Sequence, residues 1–314
     1  MNKKYIRKIS VNDSHFAYDL SIVIVNHNGW NLLVSCLDSI KQNLNGLRCD
    51  IWVVDNGSID GSVIRLIDRF PDINCIQNEE NLGFARANNQ AITNCNGRYI
   101  LLLNNDTIVH SKALQLMIQA LENHSELAAV GPQLINSDGS FQLSCMRFPS
   151  RWGDIFAYFR PQCASMGGFR QQTTRPIVKV DAVSGACMLL SRNALDQVGL
   201  LDEGYFFYAE ETDWCYRAHK LGWRVGYVSA ARVTHLRGQT AQRESSRFYV
   251  ERRITLARFK LKHYGYLSAR WSAFLVYANI WKHWLFLPTQ RNYFSMIRSD
   301  FISRIKVLFR QSSN

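Results

Sequence analysis

Along the first third of the chain, short and nearly unbroken apolar runs alternate with longer segments of helical period. The runs are LSIVIVN at 20–26, CDIWVVD at 49–55, INCIQN at 73–78 and RYILLLNND at 98–106, each ending in polar residues. Strands that are apolar on both faces must be covered on both faces, so the pattern predicts a mostly parallel sheet with helices above and below it. In such sheets ligands gather beyond the carboxyl ends of the strands, where the polar turns cluster.

The end of the chain has a different pattern. Val250, Ile254, Ala257 and Leu261 recur at helical spacing, as do Phe294, Ile297, Phe301, Ile305 and Leu308, and both stripes have basic neighbours. Between them lies WSAFLVYANIWKHWLFLP, whose apolar run is interrupted at Lys282 and His283, short of the roughly 20 apolar residues a spanning helix needs. These helices would either lie in a membrane interface or cap the sheet. Between Ser140 and Lys179 the periodicity is weak, which predicts a lid or an acceptor loop.

At 314 residues, with 47% hydrophobic and 20% charged positions, the chain can bury a sizeable core and is too apolar for disorder. Its eight cysteines, Cys36, Cys49, Cys75, Cys95, Cys145, Cys163, Cys187 and Cys215, are scattered singly and read as reduced core residues. Charges interrupt the N-terminal apolar positions, so no cleaved signal peptide is expected and the expected location is cytoplasmic. The net charge of +12 is uneven: residues 243–314 carry 14 Lys and Arg against 3 Asp and Glu, leaving 23 against 22 for the rest. A nearly neutral body argues against a nucleic-acid partner, and the basic end makes an anionic membrane surface a candidate contact.

The turns hold the candidate chemistry. NHNG follows the first run, DNGSIDGS the second and NNDT the fourth. Any one of them is ordinary turn chemistry, but at a shared sheet edge their amides and carboxylates suit a nucleotide pocket. Neither G-x-G-x-x-G nor G-x-x-x-x-G-K-[ST] follows the first strand, which disfavours hydride transfer and ATP hydrolysis.

LSIVIVNHNGW, IWVVDNGSIDGS, NLGFARANNQAI, YILLLNNDTIV, VSGACMLLSR and FFYAEETDWCYR with THLRG, in that order from about 20 to 240, resemble the successive motifs of family-2 glycosyltransferases, most closely the branch of bacterial rhamnosyltransferases. The resemblance implies a GT-A fold, an αβα sandwich with a mostly parallel sheet, and inverting transfer from a nucleotide sugar. It divides the chain into an extension (1–19), a GT-A domain with a nucleotide-binding half (20–110) and an acceptor half (111–242), and the basic helical segment (243–314).

By the same resemblance, Asp55 contacts the nucleoside base. Asn26, Asn28, Asn81, Gly83, Arg86, Asn104 and Asn105 line the nucleotide pocket; the element containing Arg86 is one residue shorter than the family pattern. Asp106 is the metal-bearing aspartate, with Asn104 where the first acidic residue of the motif often stands, and His235 is a further ligand. The expected cofactor is a divalent ion, Mg²⁺ or Mn²⁺.

AEETDW matches the acidic element that supplies the general base, making Glu211 the candidate, Glu210 the runner-up and Asp213 structural or acceptor-orienting. Crowded carboxylates against apolar walls have raised pKa values and make stronger bases. Acidic residues capping a helix N-terminus would give the same pattern. Asp181, Gly185, Ala186 and Trp214 are expected near acceptor or donor sugar, although a tryptophan on a helix face also suits a core. The implied reaction moves rhamnose from dTDP-rhamnose to a glycan or lipid-linked acceptor of bacterial cell-surface polysaccharide, such as O-antigen lipopolysaccharide, at the inner face of the plasma membrane. A UDP- or GDP-sugar donor, or a non-catalytic glycan-binding homologue, are the alternatives. A sugar nucleotidyltransferase would need a Gly-rich, lysine-bearing loop where NHNGWN stands.

Overall fold

The computed structural model describes residues 16–150, 175–236, 245–286 and 288–311. Each apolar run becomes a strand: β1 (Tyr18–Asn26), β2 (Cys49–Asn56), β3 (Asn74–Asn78) and β4 (Gly97–Asn104), separated by helices α1 (Trp30–Asn43), α2 (Ser62–Arg69) and α3 (Phe84–Ile92). They pair in the parallel order β3-β2-β1-β4, with Ile22 opposite both Ile51 and Leu101. Because successive strand residues point to opposite faces, Ile22, Ile24, Leu101 and Leu103 meet Leu33, Leu37 and Ile40 of α1 on one side. Val23, Ile100 and Leu102 meet Ala87, Ala91 and Ile92 of α3 on the other. The run of apolar residues is therefore explained by two cores, as the sequence predicts.

The second half adds β5 (Thr107–Val109), α4 (Ala113–Asn123), β6 (Leu127–Ile135), β7 (Cys145–Met146), β8 (Ile177–Val180), β9 (Ala182–Val183), β10 (Cys187–Ser191), α5 (Arg192–Val198), α6 (Glu210–Lys220) and β11 (Arg224–His235). The sheet continues past β4 in the order β10-β6-β11-β5, with β8 also on β11, while β7 and β9 form a separate pair. Strand β10 is antiparallel to both β4 and β6. That reversal matters: the end of β4 lies beside the start of β10, with Leu103 opposite Cys187. Strand β11 ends against β5, with His235 opposite Thr107. Three turns far apart in sequence thus share one edge of the sheet.

Helices α7 (Ser245–Tyr264), α8 (Tyr266–Phe286) and α9 (Arg291–Gln311) follow. The two amphipathic stripes bury against each other rather than facing a membrane: Val250 and Ile254 pack with Phe294, Ile297 and Phe301, around Ala273, Val276 and Ile280 of α8. Helix α7 also docks on α6, where the Tyr216 ring contacts those of Phe259, His263 and Tyr264. Among the described residues no helix is long and apolar enough to cross a membrane. The cysteines among them are free, and Cys36, Cys95, Cys145, Cys187 and Cys215 are buried. Most of the expected lid, 151–174, and Cys163 lie outside the described residues.

Candidate functional site

The turns after β1 and β2 lock together. Asn26 Nδ2 donates to Asp55 Oδ2 at 3.1 Å, and Asp55 Oδ1 accepts the Ser58 amide at 2.9 Å. Asn28, with a left-handed φ of 51°, accepts the Ile59 amide at 2.8 Å. Asn105 reaches over from the β4 turn to donate to Asn26 Oδ1 at 2.8 Å. Gly29 leaves the room for this, because a Cβ there would stand 2.5 Å from Asn105 Nδ2.

A second amide network, missed by sequence reading, holds the loop after β3. Asn56 donates to Asn81 Oδ1 at 2.8 Å and accepts from Asn78 Nδ2 and the Leu82 amide at 3.1 Å each. Asn81 also accepts the Gly83 amide at 3.0 Å. Gly83 has φ 85°, and a Cβ on it would lie 2.5 Å from the Phe206 carbonyl oxygen, which accepts the Phe84 amide at 2.8 Å. Replacing Gly83→Ala is therefore expected to lower the unfolding free energy by about 2 kcal/mol, combining the left-handed penalty with a backbone clash. Urea denaturation measures it; an unchanged midpoint would refute this account of the loop. Arg86 points elsewhere, 3.7 Å from Glu203 and exposed.

At the β4 turn, Asp106 Oδ1 lies 3.3 Å from His235 Nε2, and Asn104 Nδ2 lies 3.4 Å from the same nitrogen. His235 Nδ1 is 2.6 Å from Gln142 Oε1, and the Gln142 amide donates to Asn136 Oδ1 at 2.7 Å and to the His235 carbonyl at 3.1 Å. These bonds set the orientation of the Gln142 amide, so His235 Nδ1 donates to Gln142 Oε1 and Nε2 is the ring nitrogen turned to Asp106. A carboxylate beside an imidazole nitrogen whose ring is held through its other nitrogen could serve a divalent ion as a two-ligand corner. Among the described residues no third His, Cys, Asp or Glu completes a protein-only site, so the remaining positions would fall to phosphate oxygens and water.

Glu210 and Glu211 open α6. Tyr208 and Ala209 before them both take left-handed φ, 74° and 70°, at roughly 1–2 kcal/mol each, strain of the kind that accumulates at functional sites. Both carboxyls are buried, and Glu210 Oε2 has no hydrogen-bond partner. Burial pushes the Glu210 pKa well up, and the charges of Glu211 and of Glu251 on α7 push it further. Burial also raises Glu211, but hydrogen bonds from backbone amides, Glu210 and Thr212 offset part of the rise. Both carboxyls are thus harder to ionise than ordinary glutamates, Glu210 the more so, and Glu211 is the member of the pair that ionises more readily. A Cβ on Gly185 would lie 3.6 Å from Glu211 Cβ. The next residue, Ala186, accepts the Asn104 amide at 3.0 Å. One short turn thus lies against Glu211 and bonds the backbone of Asn104 at the end of β4.

Residues 21–199, more than half of the chain, match the family described as Glycosyl transferase family 2. The chain belongs to glycosyl transferase family 2. Over 241 residues it is 28% identical to an N-acetylglucosaminyl-diphospho-decaprenol L-rhamnosyltransferase of Mycobacterium tuberculosis, covering 71% of this chain and 78% of that one. It is 26% identical over 221 residues to the low-salt glycan biosynthesis hexosyltransferase Agl10 of Haloferax volcanii, covering 69% and 67%. Among solved structures, GalNAc-T7 with UDP, GalNAc and Mn²⁺ aligns at TM-score 0.56 and 18% identity over 71% of this chain and 44% of that one. The mannosyltransferase PcManGT of Pyrobaculum calidifontis, with GDP-Man and Mn²⁺, aligns at TM-score 0.53 and 15% identity over 93% and 89%. The fold of the transferase is GT-A.

The transferase does not bring every expected residue to this sheet edge. Trp214 is 0% exposed and donates to the Gly199 carbonyl at 2.8 Å, so its ring is core rather than a sugar platform. Asp213 is also fully buried, bonded to Arg217 Nε at 2.8 Å, Lys262 at 2.9 Å and His263 Nε2 at 2.7 Å. Asp181 accepts the Phe148 amide at 3.0 Å and so anchors a loop. Asn56 and Gln142 are the polar residues sequence reading passed over. Asn56 was within reach as the neighbour of Asp55 in VVDNGS, whereas Gln142 stands in a stretch with no pattern to single it out.

Proposed function

We propose that this chain transfers a sugar, with inversion, from a nucleoside-diphosphate sugar to a hydroxyl of a glycan or lipid-linked acceptor, and that the sugar is rhamnose carried by dTDP. The observation that carries the transfer reading is the Ser184–Ala186 turn, whose Gly185 lies against Glu211 and whose Ala186 carbonyl accepts the Asn104 amide. The M. tuberculosis relative, named for L-rhamnosyl transfer to a diphospho-decaprenol-linked sugar, supports the choice of sugar and acceptor class.

In this reading Asn26, Asn28, Asp55 and the Asn81–Gly83 loop hold the nucleoside. Glu211 takes the proton of the acceptor hydroxyl as its oxygen bonds to the anomeric carbon. The bond to the diphosphate oxygen breaks with its electron pair, so the proton ends on Glu211 and the negative charge on the nucleoside diphosphate. Asp106 and His235 would hold a divalent cation, which when bound neutralises that charge. Gln142 keeps the His235 ring in the tautomer suited to this task. Gln142→Met is accordingly expected to weaken Mn²⁺ binding in the presence of nucleoside diphosphate by roughly 10–100-fold, read by electron paramagnetic resonance titration, with unchanged affinity counting against the metal corner.

The deciding experiment incubates the purified full chain with dTDP-rhamnose, UDP-sugars or GDP-sugars, with and without a polyprenyl-diphosphate-linked N-acetylglucosamine and with Mn²⁺ or Mg²⁺. Acceptor-dependent release of dTDP is the expected result. Release of UDP or GDP instead would overturn the donor and leave transfer standing. Binding without turnover of any donor would favour a glycan-binding homologue.

A further inference from the structure

Burial of the two amphipathic stripes leaves a different surface of the C-terminal helices exposed. Between α8 and α9 runs a cleft of about 700 Å³, lined by Tyr266, Arg270, Ile305, Lys306, Phe309 and Arg310. Its floor is apolar, with the Tyr266 and Phe309 rings edge to face at 5.3 Å. Its rim is cationic. Lys306 and Arg310 stand one turn apart on α9, and Arg270 comes from α8, its guanidinium over the Tyr266 ring at 5.5 Å. All three cations are exposed. No carboxylate among the described residues pairs with any of them.

Beside the cleft, α8 presents Leu267, Trp271 and Phe274 at helical spacing. Leu267 is 80% and Phe274 56% exposed, and the Trp271 and Phe274 rings stack at 5.6 Å. A contiguous exposed apolar ridge beside a cationic rim marks a contact surface that suits a partner apolar and anionic at once. A bilayer surface is both, since its phosphates meet the cations while its acyl boundary takes the apolar ridge. A second copy meeting this face with its own is disfavoured, because 266–311 carry seven Lys and Arg against the single carboxylate of Asp300 and two such segments repel. A free phosphate would leave the ridge uncovered.

We infer that the α8–α9 cleft seats the phosphate of an anionic lipid headgroup through Arg270, Lys306 and Arg310, with Leu267, Trp271 and Phe274 entering the interface beside it. The inference does not depend on which sugar is transferred, or on transfer at all.

The test is flotation of the full chain with vesicles of phosphatidylcholine alone and of phosphatidylcholine and phosphatidylglycerol in equal parts. Binding is expected to the mixed vesicles only, and inorganic phosphate should not displace it at matched ionic strength. Each cation near an anionic surface contributes about fivefold, so R270Q/K306Q/R310Q should weaken binding roughly 100-fold. R65Q/R69Q/K112Q, neutralising the same number of charges on the sheet domain, should stay within about twofold because those charges lie outside the cleft. Circular dichroism confirms that the variants fold, and if the triple variant does not, R310Q alone should still lose about fivefold. The inference is overturned by equal binding to both vesicles, by equal loss in both triple variants, by wild-type binding of the cleft variant or of R310Q where that stands in for it, or by displacement with inorganic phosphate.

Discussion

Glu211→Gln is expected to lower turnover roughly 10³-fold while leaving donor binding and stability nearly unchanged, because general-base assistance is worth about 10² to 10⁴ in rate and glutamine keeps the shape without the basicity of a carboxylate. Glu210→Gln should behave differently. Glu210 is the member of the pair whose pKa is raised further, so a neutral amide in its place resembles its protonated form and activity should stay within about tenfold of the parent. The sign of the pH dependence follows from the same geometry. Glu211 acts as the anion, and burial raises its pKa above the ordinary glutamate value of 4.5. Activity should therefore fall as the pH drops through a point above 4.5. A Glu211→Gln enzyme with the parental kcat, or a Glu210→Gln enzyme as inactive as Glu211→Gln, would remove Glu211 from the role of base.

Asp213→Ala is expected to cost about 3 kcal/mol of folding stability, the lower end of what breaking a buried ion pair costs. The lower end applies because Arg217 and Lys262 remain 22% and 32% exposed and keep some solvent screening. Lys262 also retains Asp202 at 2.7 Å. Burial works against ionisation of Asp213, but hydrogen bonds from His263, Lys262 and Arg217 outweigh it and hold the carboxyl well below the ordinary 3.8. A depressed carboxylate pKa contributes stability that is fully present above the unfolded value and is lost as the pH falls through the folded one. The difference between Asp213→Ala and the parent should thus be full at neutral pH and shrink only below about pH 4. Guanidinium denaturation at pH 7 and pH 3 measures both. A variant as stable as the parent at pH 7 would mean that α7 is not held to α6 by this cluster.

Much of this could be read along the chain. Strands buried on both faces have to be apolar at every position, so β1, β2 and β4 announce themselves, and with them the edge where Asn26, Asp55 and Asp106 collect. The ordered motifs carried the family further than any single turn could. Local pattern also showed that 250–261 and 294–308 are amphipathic helices. It could not show what their apolar sides face, because a stripe that packs on a neighbouring helix and one that meets lipid have the same spacing.

Tertiary structure decided whatever depends on which distant residues meet. The antiparallel insertion of β10 beside β4 brings the Ser184–Ala186 turn against Asn104, and the pairing of β11 with β5 delivers His235 to Asp106. Neither follows from spacing, since strand order is a long-range choice made by the packing of whole layers. The same holds for the three neighbouring carboxylates of α6. In sequence they are equivalent acids, but α7 supplies cations to Asp213 and a carboxylate near Glu210, so Asp213 is held ionised while Glu210 is harder to ionise than Glu211. The chain itself determined its strands, its helices and the chemistry available at the sheet edge. Only folding assigned each charge its neighbours, because a pKa is set by burial and nearby charge rather than by residue type.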